Sequence, residues 1–176
     1  MNGEHDYLTL ARQRLNTIQN EFLADNPHGK MTVARLRAAF DRPCGDEPET
    51  ARVSLSGLTN GYGFDPFTPL EQASWIAFSL YGFHQQGIHY ERMHVNGATF
   101  TQTLRRLRSP RARTVVNHLH RASDPLQAGR LLLTVVRECR DKHVGFDHAL
   151  LALDLADVGT GRFDRRTLPM WTAAAA

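Results

Sequence analysis

Apolar side chains recur along this chain at steps of three and four residues and nowhere alternate convincingly at period two, which restricts the fold to packed helices. Tyr7, Ala11, Leu15, Ile18 and Phe22 form one such stripe and predict an amphipathic helix over roughly 6–24, broken by Asn26-Pro27. Val33, Leu36 and Phe40 predict a second helix at 31–41, with Arg35 and Arg37 off its apolar face. Leu70, Ala73, Ile76, Ala77, Leu80 and Phe83 predict a third at 69–86, opened by Pro69 and ended at Gly87. Further helices are expected at 98–108, 110–121, 125–141, 146–157 and 162–172. Ser109-Pro110 and Asp124-Pro125 each pair a capping side chain with proline at the first helical position. Gly159 and Gly161 stop the 146–157 helix, and Ala173 to Ala176 are expected to fray. The expectation is an all-α bundle of about seven to nine helices without internal repeats. Residues 42–69, rich in Pro, Gly and Asp and including NGYG at 60–63, read as one long irregular stretch. The gap at 87–97 either joins an N-terminal helical part, 1–90, to a C-terminal Arg-rich bundle, 91–176, or is a turn within one compact domain.

At 176 residues and 41% hydrophobic, the chain is large enough to bury a core. No apolar run approaches the ~18 residues of a membrane span. The opening MNGEHDYLTL has two acids and no apolar stretch, unlike a secretory leader. Two distant cysteines, Cys44 and Cys139, fit a reducing cytoplasm, and their spacing leaves open whether they meet.

Charge is distributed unevenly. Residues 1–100 hold 8 Lys/Arg against 11 Asp/Glu, whereas 104–142 hold 10 against 3, and 19 of the 21 basic residues are arginine. A G+C-rich coding sequence explains the preference for Arg over Lys but not its confinement to one segment. Arginine grips phosphate with a planar fork, so such a cluster points to a polyanion. Helical angles place Arg130 and Arg137, seven residues apart, opposite the apolar arc of Leu132, Val135, Val136 and Cys139, with Arg140 beside them. Arg105 and Arg106 point away from Phe100 and Leu107; Arg113 borders the apolar arc of its helix and Arg121 lies opposite. The bland alternative is a solvated face with weak pairs such as Arg137–Asp141. No aromatic residue interleaves these arginines between 101 and 145, so backbone contact without base stacking is expected from that segment.

Catalytic patterns are lacking. His84, His89 and His94 lie five apart and match no zinc motif, and His118 and His120 point to different sides of a helix. No phosphate-cradling glycine loop, nucleophile elbow or Cys/His arrangement is present. The chain reads as a non-enzyme that needs no cofactor and no metal.

Three stretches carry a family resemblance. They are LYGFHQQGIHYERMHVNGATFTQTLRRL (Leu80 to Leu107), RARTVVNHLHRASDPLQAGRLLLTVVR (Arg111 to Arg137) and VGFDHALLALDLADVGTGRFDRRTLPMW, joined by ARLRAAF (Ala34 to Phe40). In order and spacing they resemble the CasB family, the small subunit of the type I-E CRISPR surveillance complex Cascade, over about two thirds of the chain. Thr101 stands where that family has a small glycine, and His148 where tryptophan is common after Asp147. The resemblance implies an all-α, non-catalytic protein of two helical bundles, cytoplasmic and acting in antiviral defence. It also implies as partners the crRNA-bearing backbone and large subunits, a second copy of the chain, and the target and non-target DNA strands of the R-loop. With the outward directions above, the expected phosphate contacts are Arg105, Arg106, Arg113, Arg121, Arg130, Arg137 and Arg140, with Arg35, Arg37 and Lys142 behind them. Arg108 and Arg111 flank a turn and suit a neighbouring subunit, and Arg165 and Arg166 suit either role.

Two other readings remain. Residues 110–141 resemble a helix-turn-helix regulator, although only Gln127 and Arg130 stand where base readers are expected. The Arg face also suits an acidic protein partner.

Overall fold

The computed structural model describes residues 3–58 and 67–176, so the NGYG run at 60–63 lies outside the described residues. The elements are α1 (Gly3–Leu23), α2 (Pro27–Ala38), α3 (Pro48–Ser54), α4 (Pro69–Gln85), α5 (Phe100–Leu107), α6 (Pro110–His118), α7 (Pro125–Asp141), α8 (His148–Ala156) and α9 (Leu168–Ala175). Among the described residues there is no strand, only an isolated parallel bridge between His94 and Phe146. No helix among them is long and apolar enough to cross a membrane.

The all-α reading holds, and its boundaries shift for local reasons. α2 starts at Pro27 rather than at 31 because the Asn26 side chain accepts the His28 N–H at 2.8 Å, making Asn-Pro a start as well as a stop. α3 lies inside the stretch expected to be irregular; there Glu47 caps the Thr50 N–H ahead of Pro48, a start hidden among other loop-type residues. Thr68 with Glu71, and Thr99 with Gln102, form reciprocal capping boxes on α4 and α5. Ala174 and Ala175 do not fray but bury against the core. Before them the chain widens into a π-helical turn at Phe163–Thr167, which accommodates Pro169, a residue with no N–H to give to an ordinary helical bond.

α4 is the central element. Residues 73–81 are buried on every side, as expected of a helix with no solvent face. It packs against α2, α3, α7 and α8. Two glycines permit close crossings: a Cβ at Gly129 of α7 would sit 2.3 Å from Ile76 Cγ1, and one at Gly82 would sit 2.7 Å from the Arg37 nitrogen of α2. The predicted stripe of α1 is buried throughout, and the Tyr7 hydroxyl donates to Ser74 of α4 at 3.0 Å. Cys44 and Cys139 are free, and burial pushes both thiols up to about 12.

The 87–97 segment is fastened from below. Gln85 donates to the Ile88 and Glu91 carbonyls and accepts the Met93 N–H. Buried Gln19 brackets His94, accepting its N–H at 2.7 Å and donating to its carbonyl at 3.0 Å. Asp147, fully buried, caps α8 by accepting the Ala149 and Leu150 N–H groups on Oδ1. Its Oδ2 accepts the Gly97 N–H at 2.7 Å and Arg12 Nε of α1 at 2.8 Å. One carboxylate thus joins three parts of the chain. Asp147→Ala leaves those donors unmatched in the interior and is expected to cost about 3 kcal/mol, measured by urea denaturation.

Beside it lie three buried histidines. His84 Nε2 meets the Val144 carbonyl at 3.1 Å, so that nitrogen carries the proton and Nδ1 accepts from His148 Nε2, also at 3.1 Å. His94 Nδ1 accepts the His148 N–H at 3.3 Å. Burial lowers His84 to about 3 and His94 to about 4, and holds His148 well below its ordinary value. An unfolded chain binds these protons near pH 6.5 whereas the folded one resists them, so stability rises with pH across this window. Melting temperature is therefore expected to fall as pH drops from about 6.5 towards 4, with a shallower slope in the H84F/H148F double variant.

Candidate nucleic-acid interface

The short connection between α5 and α6 folds the two helices back beside α9. Arg105 and Arg108 at the end of α5 and Arg113 of α6 line one surface groove of about 440 Å³, walled by Ala174, Ala175 and Ala176. Arg113 Nε donates to the Ala175 carbonyl at 3.1 Å, and its Nη2 donates to that of Ala176. Arg108 adopts the left-handed conformation, φ 45°, that ends α5, and this turns it into the groove's rim. Its membership was missed in the sequence because helical angles stop predicting direction at a helix end. Arg106 is exposed on α5, and Arg121 is exposed at the close of the 3₁₀ turn Leu119–Arg121. Among the described residues neither makes an ion pair, nor does Arg105 or Arg130.

α7 divides its cations between two edges. Gly129 faces Ile76, and the Arg137 guanidinium lies 5.2 Å from the Phe83 ring centre, so Arg137, with Arg130 one heptad earlier, follows the edge towards α4. Phe83 in turn meets Phe40 edge to face at 5.4 Å. Arg140 donates from Nε and Nη2 to Asp141 Oδ1, at 3.1 and 2.9 Å. On the opposite edge Glu138 accepts Ser109 Oγ and Lys142 Nζ, both at 2.7 Å, and Lys142 also reaches the Leu107 carbonyl at 3.4 Å. Burial opposes ionisation of Glu138, but Lys142, Ser109 and the field of Arg111 together hold its carboxyl below the ordinary value.

The remaining two candidates sit on α2. Arg35 is exposed in the field of Glu47 and Glu49, and Arg37 is half-buried where α2 crosses α4. The structure therefore brings Arg105, Arg108 and Arg113 to one groove and aligns Arg130 and Arg137 on one edge. It ties Arg140 and Lys142 to neighbouring carboxylates and keeps Arg35 on the α2 side. Among the described residues no group of three or more His, Cys, Asp or Glu could hold a metal ion.

Arg105 also borders a shallow depression containing Thr99, Gln102 and Asp154. Burial, then the nearby Asp157, raise the Asp154 carboxyl to about 7 despite the opposing field of Arg166. A raised carboxyl binds its proton more readily folded than unfolded, so it favours the fold below its unfolded value and loses that advantage as pH climbs through about 7. Asp154→Asn is expected to raise the melting temperature at about pH 8, by ~2 °C, and to make little difference near pH 4, in paired thermal melts.

A family model described as CRISPR-associated protein Cse2 matches residues 32–173. The chain is similar in structure to a crystal structure of CasB from Thermobifida fusca, with a TM-score of 0.76 and 25% identity over 97% of each chain. No curated protein matches the sequence.

Proposed function

The chain belongs to the CRISPR-associated Cse2 family, and from that premise we propose that it is the non-catalytic small subunit of a type I-E Cascade complex, holding DNA strands by their phosphates to stabilise the R-loop. The supporting observation is the set of exposed arginines on three successive helices. Arg105, Arg106, Arg121 and Arg130 make no ion pair among the described residues, and Arg105, Arg108 and Arg113 share one groove. Guanidinium groups left without carboxylate partners at a surface are available to phosphate, and their contacts carry no base information.

That suits the task. Exchange of a DNA duplex for an RNA–DNA duplex is nearly balanced, so modest, sequence-neutral contacts to a displaced strand can tip it. The partners in this reading are the crRNA-bearing backbone, the large subunit, a second copy of the chain and both DNA strands, within the cytoplasm. No residue is assigned a chemical step.

The helix-turn-helix alternative draws less support. α7, its would-be recognition helix, packs against α4, α6 and α8, and Gln127 folds back so that its Oε1 accepts the Ser123 N–H at 3.3 Å. Only Arg130 remains where a base reader would stand.

Electrophoretic titration of scrambled DNAs at two salt concentrations separates the readings. Equal affinity for all sequences is expected, and Arg105→Ala or Arg130→Ala should weaken every complex alike and lower the salt slope by about 1. One strongly preferred duplex would overturn the proposal in favour of a regulator.

A further inference from the structure

The most exposed large aromatic among the described residues is Tyr90, at 76%, and it stands on the fastened 87–97 segment. Flexible loops present aromatic rings to water at little consequence, but this one is pinned through Gln85, Gln19, Asp147 and the bridge to Phe146. The adjacent His89 ring, itself exposed, stacks on buried Phe22, centroids 4.8 Å apart and planes at 16°. Tyr90 goes the other way. Its ring lies against the His143 imidazole with centroids 5.8 Å apart and planes at 30°.

His143 follows the C-terminus of α7 with φ 54°, a position at which glycine is favoured. Its N–H donates to the Arg140 carbonyl at 3.1 Å, and Glu91 Oε2 sits 2.9 Å from its Nδ1. The His143 backbone is therefore fixed at the end of α7, with its imidazole between Glu91 and the Tyr90 ring.

We infer that Tyr90, backed by His143, is a stacking platform for one unpaired base of a nucleic-acid strand. The inference rests on the phosphate-binding reading above and deepens it. The charges around the platform are mixed, but they favour a strand over a protein neighbour. Arg130, Arg137 and Arg140 span about 15 Å of α7 and lead to His143. Arg92 stands two residues from Tyr90 and is steadied by Asn20 at 2.7 Å. Glu91 lies beside the His143 imidazole, and Asp141 is paired with Arg140 in a surface pair that a phosphate can displace. Val95, 40% exposed, is the only other exposed large apolar side chain on this segment, so the rim lacks the apolar surround of a protein hot spot. Every base has a π face, so stacking here keeps the contact sequence-neutral while distinguishing an unpaired strand from a duplex. The platform was invisible in the sequence because its two rings lie 53 positions apart, outside or at the edge of the Arg-rich helices.

The test compares a labelled oligothymidine with an abasic strand of the same length, titrated with the full chain at low salt. The wild type should bind the base-bearing strand about ten-fold more tightly. Tyr90→Ala should abolish that advantage without changing abasic affinity or the salt slope, and Tyr90→Phe should retain it. A wild type indifferent to bases, or a Tyr90→Ala chain with the advantage intact, overturns the platform while leaving phosphate binding in place. Failure to bind either strand overturns both. A Tyr90→Ala chain that keeps its base advantage but no longer co-purifies with its complex assigns the ring to a protein neighbour and likewise overturns the platform.

Discussion

The buried carboxylate of Asp147 is the constraint on which the arrangement depends. It answers the N-terminal N–H groups of α8, the Gly97 N–H and the Arg12 guanidinium together. Removing a charge of this kind from water is costly unless every lone pair is matched, so satisfying it fixes all four donors, on three parts of the chain, at once. That requirement holds the 87–97 segment, through Gly97 and the backbone pairing of Met93 and Val95 with Phe146, against the start of α8. α1 is held there by the same group. The arginine-bearing helix α5 thus starts from a fastened segment, and in the proposed role that would limit the ordering entropy lost on binding a strand.

Electrostatics on the surface follow a different logic from those in the core. Inside, the Asp147 carboxylate is matched by Arg12 and the buried histidines are kept neutral by burial. Outside, α5, α6 and α7 carry arginines of which several have no carboxylate partner, while Lys142 and Arg140 are engaged by Glu138 and Asp141. Unpaired like charges repel, and a fold retains them without difficulty only where solvent or a polyanion screens them. The groove of Arg105, Arg108 and Arg113 and the edge of Arg130 and Arg137 are two separate concentrations of that charge, with α6 and the body of α7 between them.

The helices were legible because each depends on neighbours in sequence. The stripe from Tyr7 to Phe22, the all-round apolar run of α4, and the Ser109-Pro110 and Asp124-Pro125 starts each declare themselves within a few residues. α3 was not legible: seven residues are too few for periodicity, and its capping Glu47 is indistinguishable in text from a loop acid. The buried ends at Ala174 and Ala175 were hidden for the converse reason, since alanine covers a core or frays according to what lies opposite. Outward direction for Arg105, Arg106, Arg130 and Arg137 followed from helical angles, whereas Arg108 depended on a left-handed turn that no angle anticipates.

By itself the sequence determined the helical class, most of the helix starts, the concentration of arginine in 104–142 and, through the order of its motifs, the family. Those properties are local, or additive along the chain. Only the tertiary structure decided that Arg108 joins Arg105 and Arg113, that Lys142 turns to Glu138 and Leu107, that three histidines pack together in the interior, and that Tyr90 meets His143. Each of these is a pairing between residues on different elements or at a chain turn, and such pairings are fixed by how helices cross, not by what any one of them contains.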